Sequence, residues 1–115
     1  MISPPLLERL LAFRAERDWE QFHNLRTLST SIVLEAAELA EFTQWANDTE
    51  LAEIARTRRD EISQEIADVA ILLTYLSHDL GIDLDEAVAA KIQINAERYP
   101  VSKSKGSVTK YDRLD

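Results

Sequence analysis

Between Leu6 and Tyr99 the chain has no proline and a single glycine, Gly81; the prolines stand at 4, 5 and 100 and the second glycine at 106. Proline and glycine punctuate local structure because they cost a helix interior about 3 and about 1 kcal/mol. The stretch they leave uninterrupted is rich in Ala, Leu, Glu, Arg and Gln, all good helix formers. No sustained alternation of β-branched residues and no Asn-Gly or Asp-Gly turn points to a hairpin. The expected fold is therefore all-α, a four-to-five-helix bundle with helices at about 4–17, 29–47, 50–79 and 83–99. Ser3 followed by two prolines opens the first helix, and Ser29 or Thr30 is expected to cap the second after a loop through residues 18–28. The third is expected to break near Arg56–Arg59 and to end on Gly81, and Asp83 caps the fourth.

The same scarcity of glycine excludes whole classes of function. A phosphate loop, a dinucleotide fingerprint and a nucleophile elbow all need glycines in tight turns, and they are missing. Without cysteine there is no disulfide scaffold, zinc ribbon, thiol nucleophile or iron–sulfur cluster. One domain is expected over residues 1–100, with 101–115 a polar basic tail, extended unless a partner subunit holds it. Residues 1–97 carry 8 basic and 19 acidic side chains, and the overall net charge is −8. Such an acidic body repels a phosphate backbone, so no duplex nucleic acid is expected as a ligand. No basic segment followed by an apolar run marks the N-terminus and no stretch is long enough to span a bilayer, so a cytoplasmic protein with no membrane partner is expected.

The acids are not on the face where solvated acids belong. At about 100° per residue, Leu28, Ile32, Leu39, Phe42, Trp45 and Ala46 form one stripe, and Glu35 and Glu38 project from its middle. Ile62, Val69, Leu72, Tyr75 and Leu76 form a second stripe that contains Glu65 and Asp68, with Glu61 one turn earlier. A spacing of three stacks carboxylates one turn apart on one face. Each unpaired buried ion costs several kcal/mol, and like charges raise the cost. Between residues 35 and 68 ten acids meet only Arg56, Arg58 and Arg59. A hard divalent cation, Mg²⁺ with Mn²⁺ as a substitute, would resolve the conflict through oxygen ligands. A di-iron centre would need two Glu-x-x-His motifs, and only Glu20–His23 supplies one. Lys91, Asn95 and Arg98 fall on one face of the last helix, two cations and an amide in a row.

These residues resemble the MazG-like all-α nucleoside triphosphate pyrophosphohydrolases, and specifically their dCTP pyrophosphatase branch. Glu35, Glu38, Glu65 and Asp68 match the family's E-x-x-E and E-x-x-D pairs. Around them, Ala15–His23, Glu35–Trp45 and Lys91–Pro100, the last with the pattern K-x-x-x-N-x-x-R-Y-P, match the flanking blocks in order. The resemblance implies Mg²⁺-dependent hydrolysis of a nucleoside triphosphate to the monophosphate and pyrophosphate. A dCTP-like substrate is implied, in the service of nucleotide-pool house-cleaning. It implies Glu35, Glu38, Glu65 and Asp68 as metal ligands, with Glu38 or Glu41 orienting or deprotonating the attacking water. It implies Lys91 and Arg98 for phosphate, Asn95 for a base edge or sugar hydroxyl, Trp19 and Trp45 as aromatic walls, and His23 and Tyr99 at the pocket. A homotetramer built from two dimers is implied, or else a dimer, with neighbouring subunits completing the base pocket. Leu72 departs from the family, whose dCTP-specific branch has tyrosine there, which leaves dUTP, general nucleoside triphosphates and phosphoribosyl-ATP as alternative substrates. From another class, a non-catalytic helical interaction module is the remaining alternative; it would be favoured by loss of one of the four acids, and all four are present.

Overall fold

The computed structural model describes residues 2–115, which are helical and contain no strand. They fall into two compact units, 2–81 and 82–115.

In the first unit α1 (Pro4–Glu16) starts behind Ser3, with Pro4 and Pro5 in its first turn, where a missing N–H costs nothing. It ends in a left-handed cap on an unexpected residue. Asp18 adopts φ +54°, its N–H bonds the Ala15 carbonyl, and the Trp19 N–H bonds the Arg14 carbonyl. That is the Schellman arrangement, with aspartate where glycine usually stands. A short 3-10 turn, Glu20–Phe22, leads to α2 (Leu25–Glu41).

The second helix starts four residues before its expected origin and stops earlier. Its cap is Asn24, whose side chain accepts from the Thr27 N–H at 2.9 Å while the Thr27 hydroxyl accepts from the Asn24 N–H at 3.0 Å. Ser29 and Thr30, expected as caps, lie inside the helix with their hydroxyls bonded back to the carbonyls of Leu25 and Arg26. Because the helix ends at Glu41, Trp45 leaves the apolar register and stands 89% exposed.

A second 3-10 turn, Asp48–Glu50, is followed by α3 (Leu51–Thr57) and α4 (Arg59–Asp79). They are separated at Arg58, φ −106° and ψ 19°, within the expected break. Gly81, at φ +67°, closes α4 by donating to the His78 carbonyl, as its position after the last apolar turn predicts.

The principal packing is α2 on α4, and α1 and α3 also pack on α4. Leu28 is fully buried and Tyr75 nearly so, and Ile32, Leu39, Ile62, Val69, Leu72 and Leu76 are half-buried in the same unit. Full burial of a leucine contributes about 2 kcal/mol. Arg14 is buried in the same unit at 2% exposure, continuing the stripe of Leu7, Leu10 and Leu11 on α1.

The second unit holds α5 (Leu84–Arg98), capped by Asp83 accepting from the Glu86 N–H at 3.1 Å. It continues into the helical turn α6 (Val101–Ser104) and a 3-10 turn, Tyr111–Arg113. The segment after Pro100, expected to be extended, thus folds locally. Tyr111 packs edge-on against Tyr99 with ring centroids 6.0 Å apart, and the Arg98 guanidinium lies 4.5 Å from the Tyr111 ring centre.

Candidate functional site

The pairing of α2 with α4 brings their acids together. One carboxylate oxygen each of Glu35, Glu38 and Glu65 lie within 4.8 Å of one another. Glu35 and Glu65 occupy the half-buried stripe between the helices, and Glu38 stands exposed beside it. In each of Glu35 and Glu65 the Oε2 atom is buried without a hydrogen-bond partner. Arg58, the cation beside this region, is committed elsewhere: it grips Glu61 through two bonds of 2.9 and 2.5 Å and lies over the Phe42 ring. Among the described residues no ion pair reaches Glu35, Glu38, Glu65 or Asp68.

Burial, with the crowding of like charges, raises the proton affinity of the pair. Glu65 is pushed up to about 7, by burial first, then by its hydrogen bond with Glu35 and by the Glu38 charge. For Glu35 the bond from Glu65 favours the ionised form. Burial and repulsion from Glu38 and Asp68 outweigh it, and its pKa also rises. Without a cation the pair gives up its last proton later than an ordinary carboxylate does. Three convergent oxygen donors, two with orphaned buried atoms and none with a cation, suit a hard divalent ion.

Two hollows meet this cluster within the first unit. A groove is lined by Glu38, Glu41, Phe42, Arg58, Glu61 and Glu65. A cleft of about 360 Å³ runs from Glu35 and Asp68 along Ile71, Leu72 and Tyr75 to Leu10, Phe13, Trp19 and His23. Trp19 meets Phe13 edge to face, with centroids 5.7 Å apart. The cleft therefore has acids at one end and flat aromatic and aliphatic walls at the other, the shape of a site for a ring attached to a polyanion.

The sequence-derived residues divide accordingly. Glu35, Glu38 and Glu65 form the cluster; Asp68 lies next to Glu35 on the cleft wall; Glu41 lines the groove. Trp19 and His23 line the cleft, and Trp45 does not. Glu61, one turn before the acids, is held by Arg58. Lys91, Asn95, Arg98 and Tyr99 belong to the second unit, with Arg98 and Tyr99 both against Tyr111. Sequence reasoning missed Phe13 and Arg14, and placed Tyr75 only in the apolar stripe that carries Glu65 and Asp68. The signal for Arg14 was present, since it continues an apolar stripe and a cation there requires a buried acid.

Taken together, this is an all-α protein whose two central helices converge carboxylates fit for a divalent cation beside an aromatic cleft. The chain belongs to the MazG-like family, whose sequence profile matches residues 30–114. It is 45% identical over 104 residues to dCTP pyrophosphatase 1 of Mus musculus, a match covering 89% of this chain and 61% of that protein. The Homo sapiens protein of the same name is 41% identical over the same shares. That of Bos taurus is 44% identical over 118 residues, 97% of this chain and 70% of the relative. The chain thus spans about three fifths of the mouse and human proteins. Among solved structures, a pyrophosphatase from Archaeoglobus fulgidus superposes with a TM-score of 0.81 at 39% identity, covering 84% of this chain and 90% of that one.

Proposed function

We propose that this chain hydrolyses a deoxynucleoside triphosphate, dCTP or a modified dCTP, to the monophosphate and pyrophosphate. The observation that carries the reading is the unpaired carboxylate cluster opening onto an aromatic cleft. The dCTP pyrophosphatase 1 relatives support that choice of base. Glu35, Glu38, Glu65 and Asp68 would hold Mg²⁺, or Mn²⁺ in its place. When bound, the ion supplies charge neutralisation of the triphosphate and polarisation at the α-phosphorus.

The remaining work belongs to the protein's own side chains. Trp19 offers its indole face to the base, and Phe13 supports that indole edge-on. Glu41, in the groove but outside the three-carboxylate cluster, orients the attacking water and accepts its proton; Glu38 is committed to the cation. Lys91 and Arg98 are assigned to phosphate oxygens and Asn95 to the base or sugar, a reading supported by their spacing on one face of α5, and Tyr99 is assigned to the substrate beside them. The exposed Trp45 supports a homo-oligomer, a dimer of dimers, in which it closes the base pocket of a neighbouring subunit. A cytoplasmic house-cleaning role follows from that reaction, and among the described residues no helix is long and apolar enough to cross a membrane.

Leu72 on the cleft wall favours a second reading, in which the same chemistry acts on dUTP, a general nucleoside triphosphate or phosphoribosyl-ATP. The deciding experiment measures pyrophosphate and monophosphate release from a panel of canonical and modified nucleotides, with Mg²⁺ and with EDTA. Metal-dependent cleavage between the α- and β-phosphates is expected, fastest with dCTP-like bases. No release from any nucleotide by folded protein would overturn the proposal.

A further inference from the structure

Arg14 is the one buried cation among the described residues, and it meets three side chains at once, with the Glu20 carboxylate farther off at 3.9 Å. Its guanidinium donates to the two carboxylate oxygens of Asp79 at 2.9 and 2.5 Å. Its Nη1 lies 3.2 Å from His23 Nδ1, and its Cζ sits 4.7 Å from the Tyr75 ring centre. The Tyr75 hydroxyl is itself committed to the Leu10 carbonyl at 2.7 Å, and the Tyr75 and His23 rings lie 5.3 Å apart. A guanidinium has only N–H donors and keeps its charge in proteins, so the nitrogen it faces must accept. A neutral imidazole that accepts at Nδ1 carries its proton on Nε2, the nitrogen Arg14 does not hold.

We infer that Arg14 is a positioning residue that locks His23 as an Nε2–H donor on the cleft wall, so that the cleft selects a flat ring presenting a hydrogen-bond acceptor. This rests on the reading of the cleft as a base pocket. Asp79 supplies the counter-charge that lets a guanidinium stand there, and its bidentate grip fixes the fork's direction. Burial and the Arg14 charge both push the His23 pKa down, which keeps the ring neutral. The arrangement parallels the way outer-layer partners fix the tautomer of functional histidines elsewhere. An imidazole without the lock would offer the pocket a donor or an acceptor by turns, and discrimination between bases would suffer.

The test reads the tautomer directly. The chain has two histidines, so ¹⁵N-histidine labelling gives two imidazoles, told apart with His78→Gln. In the wild-type protein, His23 Nδ1 should resonate as an unprotonated acceptor, with the proton on Nε2. Replacing both partners, Arg14→Leu with Asp79→Leu, leaves no stranded charge and should return His23 to a tautomer average. Arg14→Lys, which keeps a cation but loses the fork, should loosen the lock as well and guards against a double variant that does not fold. On adding dCMP the wild-type Nε2–H signal should shift. Arg14 variants should bind dCMP about tenfold more weakly, the worth of one hydrogen bond. They should raise KM with little change in kcat. A proton on Nδ1 in the wild type, a His23 spectrum unchanged in the folded variants, or dCMP binding that leaves Nε2–H unmoved would each overturn the inference. A locked His23 in a protein that releases no pyrophosphate would instead uphold the lock and remove the nucleotide reading.

Discussion

Glu38 and Glu41 are one helical turn apart on α2, yet the proposed mechanism gives them separable duties. Glu38 contributes an oxygen to the cluster and raises the proton affinity of Glu65, whereas Glu41 only borders the groove. Glu38→Gln should therefore lower kcat by about a hundredfold or more and also weaken stabilisation by Mg²⁺. Glu41→Gln should lower kcat while leaving the Mg²⁺-induced rise in Tm intact; if both variants lose the rise alike, the assignment of roles fails. The raised affinities of Glu35 and Glu65 also carry a linkage consequence. Between the ordinary carboxylate value of 4.5 and about 7, the folded state holds more protons than the unfolded one. Metal-free stability should then fall as pH rises through that window. A divalent cation displaces the proton, so Mg²⁺ should raise Tm more at pH 8 than at pH 5 in thermal scans. An equal rise at both values would show that the cluster does not hold the ion. These acids were legible in the sequence because they sit among leucines. Which of them converge was not, since that depends on how α2 and α4 face each other.

Helix ends decide where the cleft residues point, and here the sequence was only half legible. Gly81 was readable as the sole glycine between the prolines, and Asp83 because it follows that break with Asp85 and Glu86 in the next turn. Asn24 was not. Ser29 and Thr30 look like better caps by position, but both spend their hydroxyls on carbonyls four residues back, inside a helix already under way. Asp18 was missed for a related reason: a left-handed cap usually calls for glycine, and aspartate takes the place while accepting from the Gln21 amide at 2.8 Å. Asn24→Ala removes a capping box and should cost about 1 kcal/mol in urea unfolding. Gly81→Ala should cost a similar ~1 kcal/mol, because a Cβ at φ +67° is strained although nothing stands within 4 Å of it. If Gly81→Ala were neutral, the left-handed cap would not contribute to the stability of α4. Asp79 lies at the negative end of α4, where the helix dipole opposes it, and the Arg14 fork turns that conflict into a tie between α1 and α4.

At the scale of the whole molecule, the decisive feature is apolar surface that the chain leaves in solvent. Val33 is 66% exposed on α2 and Ile66 54% exposed on α4, and Leu25, Leu34 and Leu73 are exposed on the same two helices. A buried pair of helices has no physical reason to keep such side chains wet. A second copy covering them would bury about 800 Å² per subunit in an interface of standard size. It would also give Trp45 a surface to pack on. Introducing charge there, with Val33→Asp and Ile66→Asp together, should split the assembly while leaving the Arg14–Asp79 tie in place. Light scattering across a dilution series would then show wild-type protein at a multiple of 13.1 kDa and the variant at 13.1 kDa. The wild-type Tm should rise with protein concentration and the variant's should not, because association stabilises only the folded chain. Nucleotide binding should weaken in the variant more than Mg²⁺ binding does, since Trp45 would be taken from its neighbour's pocket while the carboxylates stay within one subunit. A monomeric wild type with full activity would place Trp45 outside the reaction and leave the first unit's cleft to hold the base unaided.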